Sequence, residues 1–214
     1  LGQANCIFRL GDIALRRSDH EEARRHFEEA RALYEGAGDI LGQANCKFRM
    51  GDIVLRGSNP EEAQRYYEEA RLLYERVVDL VGQSNCIRRM GDIALSRSDP
   101  EEAQRRYEEA LSLYERMGNI FGQANCVQGL GDLSFMKGDQ EGATHLYRRA
   151  LEMYEGLSEP YSTGQTHSRL ARTGNTEEQR RFHLHAARDA WTSIDRFDLL
   201  EDLKKEFPEV EELD

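Results

Sequence analysis

The stretch Leu41–Leu80, which reads LGQANCKFRMGDIVLRGSNPEEAQRYYEEARLLYERVVDL, decides the fold because the chain repeats it. Related copies precede it over residues 1–40 and follow it over residues 81–120 and 121–160. Self-similarity at a fixed period of about 20–50 residues is the signature of a repeat architecture, in which each unit stacks on its neighbours. We therefore expect four stacked units instead of one globular core.

Each copy begins with a pattern that predicts an amphipathic helix, here called helix A. Its apolar or small residues recur at helical spacing, which places them on one buried face. In the second copy this helix is predicted to cover about residues 40–56. In the first copy the buried face consists of Cys6, Ile7, Leu10, Ile13 and Ala14.

A polar turn and a second amphipathic helix, helix B, complete each copy. In the first copy helix B is predicted over about residues 20–35. Glu22 follows the N-cap candidate Asp19 by three residues, as in a capping box. The N-cap candidates of helix B are Asp19, Asn59, Asp99 and Asp139, and those of the next helix A are Asp39, Asp79 and Asn119. A single helical hairpin cannot bury its apolar face alone, so the hairpins must stack.

The spacing of small and aromatic residues resembles that of the tetratricopeptide repeat family. In that family a Leu-Gly pair in helix A is followed in helix B by Ala, a large aromatic residue and a second Ala. A glycine inside a helix costs about 1 kcal/mol relative to alanine, so we expect helix B to approach closely there, at Ala23 and its equivalents. The matching residues are Leu10-Gly11, Ala23, Phe27 and Ala30; Met50-Gly51, Ala63, Tyr67 and Ala70; Met90-Gly91, Ala103, Tyr107 and Ala110; and Leu130-Gly131, Ala143, Tyr147 and Ala150.

The period of 40 residues exceeds the family's usual period of about 34, which implies longer helices. This longer variant resembles the repeats of Pins-type spindle-orientation adaptors, and still more the C-terminal repeats of fungal NOD-like (STAND) NTPases. The resemblance implies an all-α fold: an α-solenoid of stacked helix-turn-helix repeats forming a right-handed superhelix. It also implies that helix A lines a concave groove and helix B the convex back.

The remainder of the chain matches the repeat more faintly. Residues 161–196 are predicted to form a degenerate fifth hairpin, with about three residues deleted from its turn. Residues 197–214 are predicted to form a capping helix, with Phe197, Leu200, Leu203 and Phe207 on one side, and an acidic, frayed tail over Glu209–Asp214. No such cap precedes Leu1. We therefore expect the chain to be a fragment that self-associates through exposed apolar residues of its first repeat, Leu1, Ile7 and Leu10.

Composition narrows the function. The chain is 39% hydrophobic and 32% charged, and it has neither an apolar run long enough to span a membrane nor a secretory signal. A net charge of −11 argues against a nucleic-acid partner, whose phosphates require Lys and Arg. One cysteine per repeat, at Cys6, Cys46, Cys86 and Cys126, indicates a small buried residue and a reducing compartment, so a cytoplasmic location is expected.

Residue patterns for catalysis or cofactor binding are absent from the sequence. The cysteines do not form the close pairs that metal sites use. The histidines are interpreted as surface or incidental residues, because His183 and His185 are two apart and diverge on a helix. We therefore expect no enzyme activity, no cofactor and no metal.

Charge divides between the two helix layers. The helix A segments sum to +6 and the helix B segments to −13, so the resemblance implies a relatively basic groove inside an acidic shell. Asparagines there can hold the backbone of an extended peptide, and arginines can pair with its carboxylates. The predicted peptide-binding residues are Asn5, Phe8, Arg9 and Asp12; Asn45, Phe48, Arg49 and Asp52; Asn85, Arg88, Arg89 and Asp92; and Asn125 and Gln128.

A purely structural interpretation of the same face remains open. Asp12 can pair with Arg16 or Arg9 at helical spacing, and Asn5 can order the loop beneath it. The favoured function is a protein-interaction scaffold that binds an acidic and apolar peptide or protein segment. The alternative is a sensor or oligomerisation module of a larger switch protein, which works through repeat stacking.

Overall fold

A computed structural model of the chain describes residues 1–174, 176–208 and 210. Over these residues the protein consists of eleven α-helices without a β-strand, which confirms the predicted all-α fold of stacked helix pairs. The predicted frayed tail, Glu209–Asp214, lies outside the described residues except for Val210. The helices are α1 (Gly2–Arg16), α2 (His20–Gly36), α3 (Ile40–Arg56), α4 (Pro60–Arg76), α5 (Leu80–Ser96), α6 (Pro100–Met117), α7 (Ile120–Met136), α8 (Gln140–Gly156), α9 (Pro160–Thr173), α10 (Glu177–Thr192) and α11 (Phe197–Glu206).

The chain divides into two compact units, Leu1–Leu113 and Tyr114–Asp214. In the first unit, α1 packs on α2, α2 on α3, α3 on α4 and α4 on α5. In the second unit, α7 packs on α8, α8 on α9, α9 on α10 and α10 on α11. None of the described helices combines the length and the apolar character that crossing a bilayer requires.

The turn inside each hairpin follows from its local sequence. Ser18 adopts the left-handed conformation, with φ of 61°. The amide of Asp19 then donates to the carbonyl of Ala14, the six-to-one bond of a Schellman motif. The Asp19 carboxylate caps the next helix by accepting from the amide of Glu22 at 3.0 Å. These bonds end one helix and start the next within three residues.

The glycine of each Leu-Gly pair packs against an aromatic ring, not against alanine as the sequence predicted. A Cβ placed on Gly51 would lie 2.7 Å from Cε1 of Tyr67, and one on Gly11 would lie 2.7 Å from Cε1 of Phe27. Tyr67 is fully buried in the hairpin core. Helix A therefore needs glycine so that the ring can approach its backbone closely.

A second glycine per repeat has the same role and was not predicted. Gly42 and Gly82, near the start of helix A, face the rings of Tyr34 and Tyr74 from the preceding repeat. A Cβ at either glycine would overlap that ring. The glycine of the Leu-Gly pair thus allows close packing within each hairpin, and the glycine near the start of helix A allows close packing between successive hairpins.

The apolar face of α1 is only partly buried: Leu10 is exposed as expected for the first repeat, whereas Ile13 is exposed although the helical pattern placed it on the buried face. Leu10 and Ile13 are 47% and 44% exposed, whereas the equivalent Met50 and Ile53 in α3 are 4% and 7% exposed. The difference arises because α3 packs on both α2 and α4, whereas α1 packs mainly on α2. Ile7, predicted to be exposed, is buried because it packs with Ala30 and Tyr34.

Helix α11 packs on α10 in the second unit. Leu203, Phe207 and Val210 form one cluster with Ala187 and Trp191 of α10. Phe197 does not join this face, contrary to the sequence prediction, and is 59% exposed. It is the first residue of α11, where the helix has only begun.

Candidate functional site

Most of the predicted binding residues of the first unit surround one pocket of about 430 Å³ on the helix A layer. Helices α1, α3 and α5 supply its helix A residues, because their equivalent faces lie side by side. Helix B contributes one residue, Tyr74, which the sequence did not predict. The lining residues are Phe8, Asn45, Phe48, Arg49, Asp52, Tyr74, Asn85, Arg88 and Arg89.

Asp52 is the centre of the hydrogen bonding around this pocket. Its buried carboxylate accepts from Tyr67 Oη at 2.9 Å and lies 3.1 Å from Arg89 Nη2 and 3.5 Å from Arg49 Nη1. The hydroxyl and the two guanidinium groups neutralise and orient the carboxylate. Burial, and then the Asp52 charge, raise the pKa of Tyr67. Tyr67 therefore stays a neutral donor.

The arginines of helix A reach back to the preceding repeat. Arg49 Nε lies 3.1 Å from Asp12 Oδ1, just as Arg89 reaches Asp52. In the second unit Arg169 Nε donates to Asp132 Oδ1 at 2.7 Å. The sequence analysis paired Asp12 with Arg16 or Arg9, and the structure corrects this by pairing it with Arg49. We call these pairs, which join residues 37 positions apart, the Arg–Asp ladder.

The ladder changes the electrostatics of the relatively basic groove that the sequence analysis expected. Burial opposes the charge of Arg89, but Asp52 and Asp92 outweigh it and raise the pKa of the guanidinium. Arg88 Nη1 donates to Asp92 Oδ2 at 2.9 Å. The arginines are thus held beside carboxylates. The buried Arg89 Nε nevertheless has no hydrogen-bond acceptor among the described residues.

The asparagines accept hydrogen bonds from helix B tyrosines. Tyr34 Oη donates to Asn5 Oδ1 at 2.6 Å, and Tyr74 Oη donates to Asn45 Oδ1 at 2.7 Å. Each such bond ties helix B to its own helix A. The Asn45 side-chain carbonyl is thereby engaged, and Asn45 itself lines the pocket.

The other predicted residues lie elsewhere. Asn5, Arg9, Asp12 and Asp92 do not line the pocket. Asn125 belongs to the second unit and accepts from Tyr154 at 2.9 Å. Gln128 is buried there and donates to Thr166 Oγ1 at 2.7 Å, so its amide serves the packing of α7 on α9.

Two phenylalanines give the pocket an apolar component. Phe8 and Phe48 stack in tilted geometry on Phe27 and Tyr67, with ring centroids 5.2 Å and 5.4 Å apart. Such pairs stabilise the hairpin by about 0.5–1.5 kcal/mol beyond the area that they bury. Both phenylalanines are half-buried and present the rest of their rings to the pocket.

A histidine pair in the second unit corrects the expectation of incidental histidines. His167 is buried on α9, and its Nδ1 lies 2.9 Å from Nδ1 of His183 on α10. Burial, and then His183, lower the pKa of His167 to about 4. Burial and the Arg148 charge lower the pKa of His183. No spacing in the sequence signals this pair, because the shortened turn sets its register.

The cysteines behave largely as predicted. Cys46, Cys86 and Cys126 are buried free thiols, and burial raises the pKa of Cys46 to about 12. Cys6 is exposed because it lies on the uncovered face of α1. Within residues 1–174, 176–208 and 210, histidine, cysteine, aspartate and glutamate side chains do not cluster in threes that could hold a metal ion.

The repeat pattern and the helix pairs define the class of protein. A sequence profile described as tetratricopeptide repeat matches residues 3–76, 41–116 and 83–156. The chain therefore belongs to the tetratricopeptide repeat family, whose members are typically non-catalytic interaction scaffolds with extended binding surfaces. No curated protein sequence matches it.

Solved structures share this fold at low sequence identity. BtubC (BKLC) from P. vanneervenii is 18% identical, with a TM-score of 0.69 over 88% of this chain and 80% of that one. The Rap conjugation gene regulator of plasmid pLS20, solved with the Phr* peptide, is 17% identical, with a TM-score of 0.75 over 97% of this chain and 60% of that one.

A third similar structure is a signal-transduction ATPase with numerous domains (STAND) from Pyrococcus horikoshii, which carries a tetratricopeptide repeat sensor. It is 15% identical, with a TM-score of 0.70 over 90% of this chain and 30% of that one. The chain thus spans less than two thirds of the Rap regulator and of the STAND protein. Likeness at these identities establishes the fold.

Proposed function

We propose that the helix A pocket of the first unit binds a peptide or protein segment that carries an acidic side chain and one or two apolar anchors. The observation that supports this most is the pocket itself. It collects eight of the fourteen residues that the sequence pattern selected. A relative of the same fold, the Rap regulator of pLS20, was solved with a bound peptide.

The pocket chemistry defines the ligand. Its lining contains three arginines and one aspartate, so a carboxylate is the favoured guest. Because Asp12, Asp52 and Asp92 already pair with Arg49 and Arg89, a ligand carboxylate has to share these guanidinium groups. One acidic group therefore fits better than several.

Backbone and apolar contacts supply the rest. The Asn45 amide group can hold a peptide carbonyl while its own carbonyl is held by Tyr74. The ring surfaces of Phe8 and Phe48 can take an apolar side chain. The fixed tyrosine and aspartate partners keep these groups in place before the ligand arrives, which lowers the entropic cost of binding.

Charge removal at the pocket tests this proposal. We expect Arg49→Gln with Arg89→Gln to weaken a partner captured by the 214-residue chain about tenfold or more, because charge-assisted hydrogen bonds are lost. Binding of the wild-type chain should also weaken with added salt, since the screening length is about 8 Å at physiological ionic strength. Titration calorimetry with the purified partner measures both effects.

The matched control removes the same charge from the helix B layer. Arg65→Gln with Arg105→Gln changes two exposed residues of α4 and α6 and should leave affinity within about twofold. Circular dichroism of each variant at the binding temperature establishes that it is folded. Equal losses in both double variants, or a larger loss in the helix B pair, would place the working surface on helix B.

A second candidate is a sensor or oligomerisation module of a larger switch protein in a reducing compartment. The Arg–Asp ladder favours it, because it couples the first repeat to the second and the second to the third through paired charges that a partner could exchange. The similar STAND protein from P. horikoshii carries repeats of this fold as its sensor.

The oligomerisation part of this second function can be tested with the purified 214-residue chain alone. We expect the sedimentation coefficient to rise with concentration, because Leu10 and Ile13 leave an apolar face of α1 uncovered. Leu10→Glu with Ile13→Glu should abolish the rise, whereas Leu72→Glu with Val78→Glu, at exposed positions of α4 and of the turn after it, should not. A wild-type chain that stays monomeric throughout contradicts the expectation.

A further inference from the structure

The second unit contains a cleft of about 620 Å³ that the peptide-binding proposal does not use. Leu170, Thr173 and Gly174, at the end of α9, form its floor together with His183. Its rim comes from the first half of α8 and the start of α10. The rim residues are Gln140, Glu141, Thr144, His145, Arg148 and Gln179.

The cleft exists because α9 is shorter than the equivalent helices. Helix α9 has 14 residues, whereas α5 and α7 have 17. Its C-cap is Gly174, whereas the C-cap of α5 is Arg97. The missing turn and the missing side chain leave space between α8 and α10.

The first unit shows what fills the equivalent space. There Arg97 donates from Nη2 to Glu61 at 3.0 Å and from Nη1 to Gln64 at 2.8 Å. Both acceptors lie on α4, the helix B that precedes α5. Their equivalents on α8, eighty residues later, are Glu141 and Thr144. The second unit therefore keeps the carboxylate but lacks the guanidinium that the first unit places against it.

The junction of the first two repeats supports this comparison. There α3 packs on α2, and the C-cap of α3 is also a glycine, Gly57. The position of Gln64 is occupied there by Arg24, so that junction again has its own guanidinium. Among the described junctions within each unit, the one between α8 and α9 is therefore the one with an arginine neither at the C-cap nor at the position of Gln64.

The opposite end of the cleft carries a positive charge. Arg148 lies seven residues after Glu141, which places it on the same face of α8, about 10 Å further along the axis. Within the described part of the chain Arg148 has neither an ion pair nor a hydrogen bond to its side chain. His183 lies beside it and turns Nδ1 toward His167, so Nε2 is the nitrogen left for the cleft.

We propose that this cleft binds a small zwitterion with a guanidinium at one end and a carboxylate at the other, as in free arginine or a carboxyl-terminal arginine. The guanidinium takes the place against Glu141 and Thr144 that Arg97 occupies in the first unit. The carboxylate lies between Arg148 and His183. A cleft of this volume lies within the usual range for small-molecule sites, about 300–1,000 Å³.

Binding is coupled to a proton through the histidine pair. The groups that face His183 are His167 on α9 and Arg148, His145 and Glu141 on α8, while Glu155 of α8 lies 4.0 Å from His167 Nε2. A ligand carboxylate at His183 Nε2 favours a protonated pair, in which Nε2 of each ring donates to a carboxylate and one Nδ1–H bridges the rings. Affinity should therefore increase as the pH falls from about 8 to about 6.

The probe is free L-arginine, titrated into the full 214-residue chain by calorimetry and by the imidazole resonances of His145 and His183. We expect saturable binding. Agmatine lacks the carboxylate and pentanoate lacks the guanidinium. Each should bind with an affinity at least about tenfold lower than that of arginine. N-acetyl-arginine separates the two sources, because affinity equal to that of arginine indicates a peptide terminus and lost affinity indicates the free amino acid.

Matched variants on α8 make the result specific. Glu141→Gln and Arg148→Gln should each weaken arginine about tenfold or more, whereas Glu152→Gln and Arg149→Gln, exposed on the same helix, should leave it unchanged. All four change surface residues, so all should fold. An absence of saturable binding, or equal effects in the two pairs of variants, would overturn the assignment.

Discussion

Asp52→Ala is expected to lower the free energy of unfolding by about 3–5 kcal/mol. Asp52 is buried, and its carboxylate is shared by Tyr67, Arg89 and Arg49. Removing it leaves a buried hydroxyl and a partly buried guanidinium without their acceptor, which costs more than the net value of the bonds. Urea unfolding followed by far-ultraviolet circular dichroism measures the change.

The chain offers a natural control for this variant. In the first repeat Phe27 stands where the second has Tyr67, so Asp12 has no tyrosine to accept from. Asp12→Ala should therefore cost much less, about 1 kcal/mol, because its pair with Arg49 is more exposed. Tyr67→Phe should relieve part of the cost of Asp52→Ala when the two changes are combined. Equal costs for Asp12→Ala and Asp52→Ala would refute the central role of Asp52.

Gly51→Leu is expected to destabilise the chain by about 3 kcal/mol, at the upper end of the usual overpacking cost. The first added carbon already lies 2.7 Å from Tyr67 Cε1. The ring cannot move away easily, because its hydroxyl is bonded to Asp52 and Phe48 packs against it. Thermal and urea unfolding curves should show the loss together.

The control for the glycine is Gly57, in the turn that follows the same helix. An added Cβ there lies 3.4 Å from the nearest backbone oxygen, which is ordinary contact, and φ is −77°. Gly57→Leu should therefore change stability by less than about 0.5 kcal/mol. Indistinguishable midpoints for Gly51→Leu and Gly57→Leu would show that the ring does not require glycine.

The sequence was sufficient to predict the features that lie inside a single forty-residue copy. The bounds of α3, the N-caps and the small–aromatic pattern all follow from spacing inside forty residues, where helical periodicity fixes which side chains share a face. The same reasoning reached the face that forms the pocket, because Asn45, Phe48 and Arg49 lie on one side of α3.

Contacts between copies were harder to predict. The bond from Arg89 to Asp52 depends on how far one hairpin is displaced against the next, and periodicity within a helix does not give that displacement. A spacing of 37 residues, three fewer than the period, recurs for Arg49 and Arg169 and could have indicated it. The contact of His167 with His183 has no such signal, because the turn between them departs from the repeat.

The Arg–Asp ladder also suggests that the number of repeats can be changed by inserting further copies. A copy of residues 41–80 carries an arginine for the hairpin before it and an aspartate for the hairpin after it. A duplicated copy inserted between the first and second repeats would therefore match both neighbours without any redesign. Arrays of chosen length should be obtainable in this way, with stability increasing by a similar increment for each added module.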